Sequence, residues 1–167
     1  MISRKMRIGV MGAGQCSKEI YSLAEQVGQL IAQHDAILIC GGRGGVMEAA
    51  AKGVKAVGGI TVGILPDEDD LGANPYIDIP VVTGMGNGRN VINILSSQVI
   101  IAISGGYGTL SEIALALKAQ IPVVGLCTWN FSAETEPANK KHLFFQANSA
   151  EQAVKKAIEL TQGHRPR

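Results

Sequence analysis

Aromatic side chains are scarce in this chain: three Phe, three Tyr and one Trp among 167 residues. A β-sandwich or a platform that stacks nucleobases normally uses more. An excess of one charge is missing as well. Fifteen Lys and Arg stand against fourteen Asp and Glu, a formal net charge of +1. That leaves no electrostatic footprint for nucleic acid or an anionic membrane, so neither is expected as a partner. No apolar run reaches the roughly 18 residues of a membrane span. Met1 to Arg7 lack the apolar stretch and cleavage site of a secretory signal. The three cysteines, Cys16, Cys40 and Cys127, are odd in number and widely spaced. A reduced, cytoplasmic protein with structural thiols is the reading, with Cys40 in the core. There is no C-x-x-C and no H-E-x-x-H, and His34, His142 and His164 lie far apart. No metal site is expected.

Glycine is what the chain has in excess: 21 residues, nearly double the usual share of about 7%. The glycines do not recur every third residue, and they border apolar runs rather than polar tracts. Collagen and flexible linkers are excluded.

Short apolar runs alternate with helical patterns. Strands are expected at 7–11, 36–40, 60–65, 79–82, 99–103, 123–127 and, as a seventh, 142–146. Helices are expected at 17–33, 45–57, 89–98, 109–120 and 149–162. The first carries the stripe Ile20, Leu23, Ala24, Val27, Leu30, Ile31. The last opens on a Ser149-x-x-Gln152 capping box. The acidic run Asp67 to Asp70 reads as a solvated loop, and 129–141 as another. The alternation predicts an α/β fold: one doubly wound, Rossmann-like parallel sheet of six to seven strands with helices on both faces. It is expected as one domain over residues 1–163, followed by a frayed tail at 164–167. Ligands in such folds sit beyond the carboxyl ends of the strands.

Twelve of the 21 glycines fall in four strand-to-helix loops at that edge. They are Gly12 and Gly14; Gly41, Gly42, Gly44 and Gly45; Gly84, Gly86 and Gly88; and Gly105, Gly106 and Gly108. Glycine lets a ligand approach main-chain N–H groups, and a helix N-terminus adds partial positive charge. Four such junctions point to a phosphate-bearing ligand; the plainer alternative is that glycine only eases tight turns. The dinucleotide motif is incomplete: Gly12-Ala-Gly14-Gln-Cys-Ser17 has Ser17 at its third glycine position. The second strand ends in Gly41-Gly42-Arg43, with no carboxylate for a ribose, so NAD is not expected. Arg43 would suit a phosphate instead. A Walker loop and a G-x-S-x-G elbow are both absent.

Two loops share G-G-x-G-x-x-x-E: Gly41-Gly-Arg-Gly-Gly-Val-Met-Glu48 and Gly105-Gly-Tyr-Gly-Thr-Leu-Ser-Glu112. Both glutamates are expected in first helical turns, where they favour the helix dipole. Thr109-x-x-Glu112 also reads as a capping box. Arg89 opens a helix, where the dipole disfavours it, and so suggests an anion contact.

With these motifs and Gly84-Met85-Gly86-Asn87-Gly88-Arg89-Asn90, the chain resembles the Lonely Guy-like superfamily from Arg7 to about Cys127. Enzymes of that group, often mislabelled lysine decarboxylases, split nucleoside 5′-monophosphates into base and ribose 5-phosphate. The resemblance assigns their arginine and glutamate to Arg89 and Glu112, the catalytic pair under that reading. Three positions depart from the hydrolases: Ser104 for proline, Asn90 for lysine and Glu48 for glycine. No lysine lies in the four loops to hold pyridoxal phosphate. The pattern is similar to a short subgroup akin to molybdenum cofactor carrier proteins. That implies binding of a phosphorylated pterin or nucleotide-like ligand, molybdenum cofactor foremost, and its delivery to a receiving enzyme.

The expected ligand-binding residues are Gly12, Gly14, Ser17, Gly42, Arg43, Gly44, Gly45, Glu48, Met85, Asn87, Arg89, Asn90, Gly105, Gly106, Tyr107, Gly108, Thr109 and Glu112. A homodimer or homotetramer is expected too, through apolar helix surface such as Ile113 to Leu117. The alternative, a phosphoribohydrolase, stays open at this point.

Overall fold

The computed structural model describes residues 4–131 and 142–163. Seven strands form one parallel sheet: β1 (Arg7–Gly12), β2 (Ile37–Cys40), β3 (Thr61–Leu65), β4 (Ile79–Val82), β5 (Val99–Ile103), β6 (Val123–Leu126) and β7 (Phe144–Ala147). Five helices accompany them: α1 (Lys18–Gln33), α2 (Val46–Ala56), α3 (Arg89–Ser96), α4 (Tyr107–Lys118) and α5 (Ala150–Gly163). The strand order is β4-β3-β2-β1-β5-β6-β7. The expected fold class is borne out. The expected tail at 164–167 and most of the expected loop at 129–141 lie outside the described residues. No helix among the described residues is long and apolar enough to cross a membrane.

The central strands are apolar on both faces, as a sheet covered on both sides requires. Every residue of β5 is buried, and Ile8, Val10, Leu38, Val123 and Val124 are fully so. One core lies where α1, α2 and α5 meet the sheet, and Cys40 belongs to it. A smaller core, with Met11, Ile100, Ile113 and Phe144, lies under α3 and α4. Helices α1 and α2 approach so closely that a Cβ on Gly28 would collide with the Ala50 carbonyl, and one on Gly53 with that of Glu25.

Most boundaries fall within two residues of expectation. At the C-terminal helix, Ser149 Oγ accepts from the Gln152 N–H (3.2 Å) and Gln152 Oε1 accepts from the Asn148 N–H (3.0 Å). Two expectations change. Strand β7 runs Phe144–Ala147, because its register is set by pairing Phe144 with Val123. Helix α4 starts at Tyr107 rather than Thr109. Ser104 and Gly105 complete the turn with φ of 50° and 116°, and Gly106 occupies the N-cap position. Glu112 therefore lies beyond the first turn, and the expected capping box does not form. Of the apolar surface expected at Ile113 to Leu117, Ile113 and Ala116 are buried and offer nothing to a second subunit, whereas Ala114 is exposed and Leu115 and Leu117 are half-buried.

The strand order reverses at β1. The chain winds from β1 through β2, β3 and β4 on one side, then crosses to β5 on the other. The carboxyl ends of β1 and β5 pair as Gly12 and Ile103. Their divergent loops open the crevice where doubly wound folds bind ligands.

Candidate functional site at the carboxyl edge

The first two glycine loops are stitched together. Gly45 has φ of +66°, and the next residue, Val46, donates its N–H to the Ala13 carbonyl (3.0 Å). A Cβ on Gly44 would lie 3.4 Å from the Gly14 carbonyl and 3.7 Å from Glu48 Oε2. Gly12 leaves no room for a side chain between Val46 and the Ile103 carbonyl. By contrast, Cβ atoms on Gly14, Gly86, Gly106 and Gly108 would meet only open space. These four positions leave the main chain accessible.

Three of the four helices that follow these loops begin without a side-chain cap. Gly45, Gly88 and Gly106 hold the N-cap positions of α2, α3 and α4. The first N–H groups of a helix have no intrahelical partner. At α4 they form a donor array with partial positive charge, suited to an anion; at α2 the Val46 N–H is taken by the Ala13 carbonyl, and α3 continues a 3-10 turn over Gly86–Gly88 that accepts from the Arg89 N–H. The fourth helix differs: Ser17 Oγ accepts from the Ile20 N–H (3.3 Å), so this expected ligand residue caps α1.

Arg89 stands at the centre of the edge. Its Nη1 donates to the carbonyls of Gly41 (2.5 Å) and Ile64 (2.6 Å), fastening the start of α3 to β2 and β3. Among the described residues no other nitrogen of this guanidinium has a protein acceptor. Desolvation lowers its pKa, while the charge of Glu112 opposes that shift. Glu112 is only 7% exposed. Burial pushes its carboxyl up to about 7, against the opposing pull of Arg89 and an amide N–H of Asn93. Asn93 Nδ2 donates to Glu112 Oε1 across 3.4 Å, whereas the buried Asn93 Oδ1 has no partner. Cys40, fully buried nearby, has its thiol pushed up to about 11 and stays protonated. Asn93 was not among the expected site residues. Its signal was there: a lone amide in the apolar stretch Val91-Ile92-Asn93-Ile94-Leu95, one helical turn after Arg89.

The other expected residues divide into three groups. Arg43 forms an ion pair with Asp67, and its carbonyl accepts from Asn74 Nδ2 (2.9 Å), so its charge is directed to the acidic loop. Glu48 lies in the first turn of α2, where Tyr21 Oη reaches its Oε1 at 3.5 Å. Glu48 and Glu112 thus occupy opposite faces of the sheet despite their shared motif. Asn90 Nδ2 donates to Ser111 Oγ (3.2 Å) and ties α3 to α4. Thr109 is buried, while Met85, Asn87 and Tyr107 are exposed around the rim, Tyr107 to 87%.

The profile of the SLOG cluster4 family (LDcluster4) matches residues 5–157. An uncharacterized protein of Archaeoglobus fulgidus is 56% identical over 113 residues, which is 68% of this chain and 74% of the relative. The structure of the molybdenum cofactor binding protein from the phototrophic bacterium Rippkaea orientalis superposes with a TM-score of 0.85 at 43% identity. That match covers 94% of this chain and 98% of the other. The Moco carrier protein of Chlamydomonas reinhardtii gives 0.83 at 40% identity, covering 96% and 100%.

Proposed function

The chain belongs to the SLOG cluster4 family, and from that premise we propose that it binds molybdenum cofactor as cargo and delivers it to a receiving enzyme. The observation that carries this reading is the convergence at one sheet edge of three helix N-termini that lack side-chain caps around a half-anchored arginine. The phosphate of the pterin would meet the N–H groups of the loops at Gly44–Gly45 and Gly106–Gly108. Arg89, its Nη1 fixed by two carbonyls, would add its unengaged edge. The rim side chains Met85, Asn87 and Tyr107 would cover the ring system. The similarity to two proteins named for molybdenum cofactor supports the choice of cargo.

A titration with molybdenum cofactor tests the reading. Saturable binding is expected, weakened about 10- to 100-fold by Arg89→Ala, as for loss of a charge-assisted hydrogen bond. Absence of saturable binding would overturn it.

The burial of Glu112 beside Arg89 favours one second reading, phosphoribohydrolysis. A carboxylate there could stabilise positive charge developing on a ribose, as in glycosidases. Free base released from AMP or isopentenyladenosine monophosphate, and lost in Glu112→Ala, would replace carriage by catalysis.

A further inference from the structure

We propose that the anion site at Arg89 is proton-linked: Glu112, held by Asn93, takes up a proton when an anionic ligand binds, so the grip tightens as pH falls. The inference rests on the reading above only in placing an anion at this crevice.

The geometry isolates one carboxyl group. Of the elements packed against α4, helix α3 brings Arg89 as its only charged residue. Strands β5 and β6 bring none, and Arg7, at the far end of β1, donates to the Ser96 carbonyl (2.9 Å). Cys40, at the end of β2, remains a neutral thiol. Arg43 and Asp67 act on Arg89 but are paired with each other. The net charge of the buried site therefore turns on Glu112. Ionised, it offsets Arg89; protonated, it leaves Arg89 uncompensated for a ligand.

Asn93 is suited to both states. In one orientation its Nδ2 donates to the carboxylate, and its Oδ1, buried without a partner, has nothing to accept. A half-turn of the amide exchanges the two atoms. The oxygen then faces a protonated Glu112, which can donate to it. An arriving anion disfavours the carboxylate as a like charge. With Glu112 titrating near neutrality in the free protein, at about 7, the proton comes from solvent.

Calorimetric titration with sulfate, run in two buffers of different ionisation enthalpy, tests this. Sulfate stays a dianion from about pH 6 to about pH 9, so proton uptake belongs to the protein. The wild-type chain should take up a fraction of a proton per sulfate near neutrality. Its affinity should fall several-fold towards alkaline pH. Glu112→Gln should abolish the uptake and hold the acid-limit affinity throughout. Asn93→Leu, lacking the donor that favours the carboxylate, should move the midpoint upward; Glu112→Gln, nearly isosteric, decides the matter should Asn93→Leu fail to fold. A flat wild-type profile, an unchanged profile in Glu112→Gln, or no sulfate binding at all would each overturn the proposal. Sulfate binding with proton uptake but no affinity for molybdenum cofactor would defeat the carrier reading alone. Cofactor binding with a flat sulfate profile would defeat the proton link alone.

Discussion

Glu112 weakens the fold once it is ionised. Its carboxyl loses its proton at about 7 in the folded protein against an ordinary value of 4.5. Between these values the folded state holds a proton that the unfolded state has released. This group's contribution is therefore most favourable below about pH 4.5, is lost as pH rises to about 7, and then levels off. Glu112→Gln should leave thermal stability unchanged near pH 4.5 and raise it near pH 8 by about 1–3 kcal/mol. Melts at the two pH values check this, and equal gains at both would refute it. Arg89 behaves oppositely. Its Nη1 donates to two main-chain carbonyls of buried residues, Gly41 and Ile64. A lysine ammonium has neither the planar fork nor the reach to replace it. Arg89→Lys is expected to lower the unfolding free energy by about 2–4 kcal/mol for two buried acceptors left short, read as a lower urea midpoint.

Elements carry the next layer of stability, and Thr61 shows how. Its fully buried hydroxyl donates to the Tyr76 carbonyl (2.6 Å) and accepts from the Asp78 N–H (2.8 Å), tying the start of β3 to the approach to β4. Asp78 returns the contact by accepting from the Thr61 N–H (2.9 Å) and from Lys55. Thr61→Val keeps the shape and strips both partners, so about 1–3 kcal/mol should be lost. Hydrogen exchange should rise first in β3 and β4; a rise spread evenly over the sheet would contradict the local role. At this scale the sequence was most legible. Apolar runs and helical stripes located all seven strands and five helices, because each signal is local. Helix α4 was misplaced at its start because glycine and a left-handed serine turn the chain without a capping side chain. The candidate site was legible as glycine loops meeting at one edge with Arg89 among them, though not in the two main-chain carbonyls that Arg89 holds. Two other features were not. The diversion of Arg43 depends on Asp67, 24 residues away, and the partnership of Asn93 with Glu112 depends on two helices lying side by side. No spacing rule encodes such contacts.

At the scale of the molecule one edge of the sheet is left bare. All four residues of β4, Ile79, Pro80, Val81 and Val82, are exposed, so both faces of that strand are left partly uncovered. Val91 and Leu95 on the outer side of α3 are exposed as well, Leu95 to 64%. An apolar edge of this kind aggregates unless it is blunted or covered. Pro80 lacks the N–H that would extend the ladder, so the edge itself is blunted against strand addition. The side-chain faces are not. We propose a second copy of this chain as their cover. An apolar patch is complementary to itself, as a two-fold contact requires, and chains of net charge +1 repel each other little. Unlike the buried Ile113 and Ala116, these side chains keep a large part of their surface exposed. Sedimentation of the wild-type chain should therefore give twice the chain mass at micromolar concentration. The double substitution Val82→Asp with Leu95→Asp should give the monomer with its helical circular dichroism intact. The carboxyl-edge crevice draws on β1, β5 and three helix N-termini of one chain, so monomers should still bind sulfate. A wild-type chain that sediments as a monomer would exclude the dimer, and a folded double variant that remains dimeric would move the contact to another face.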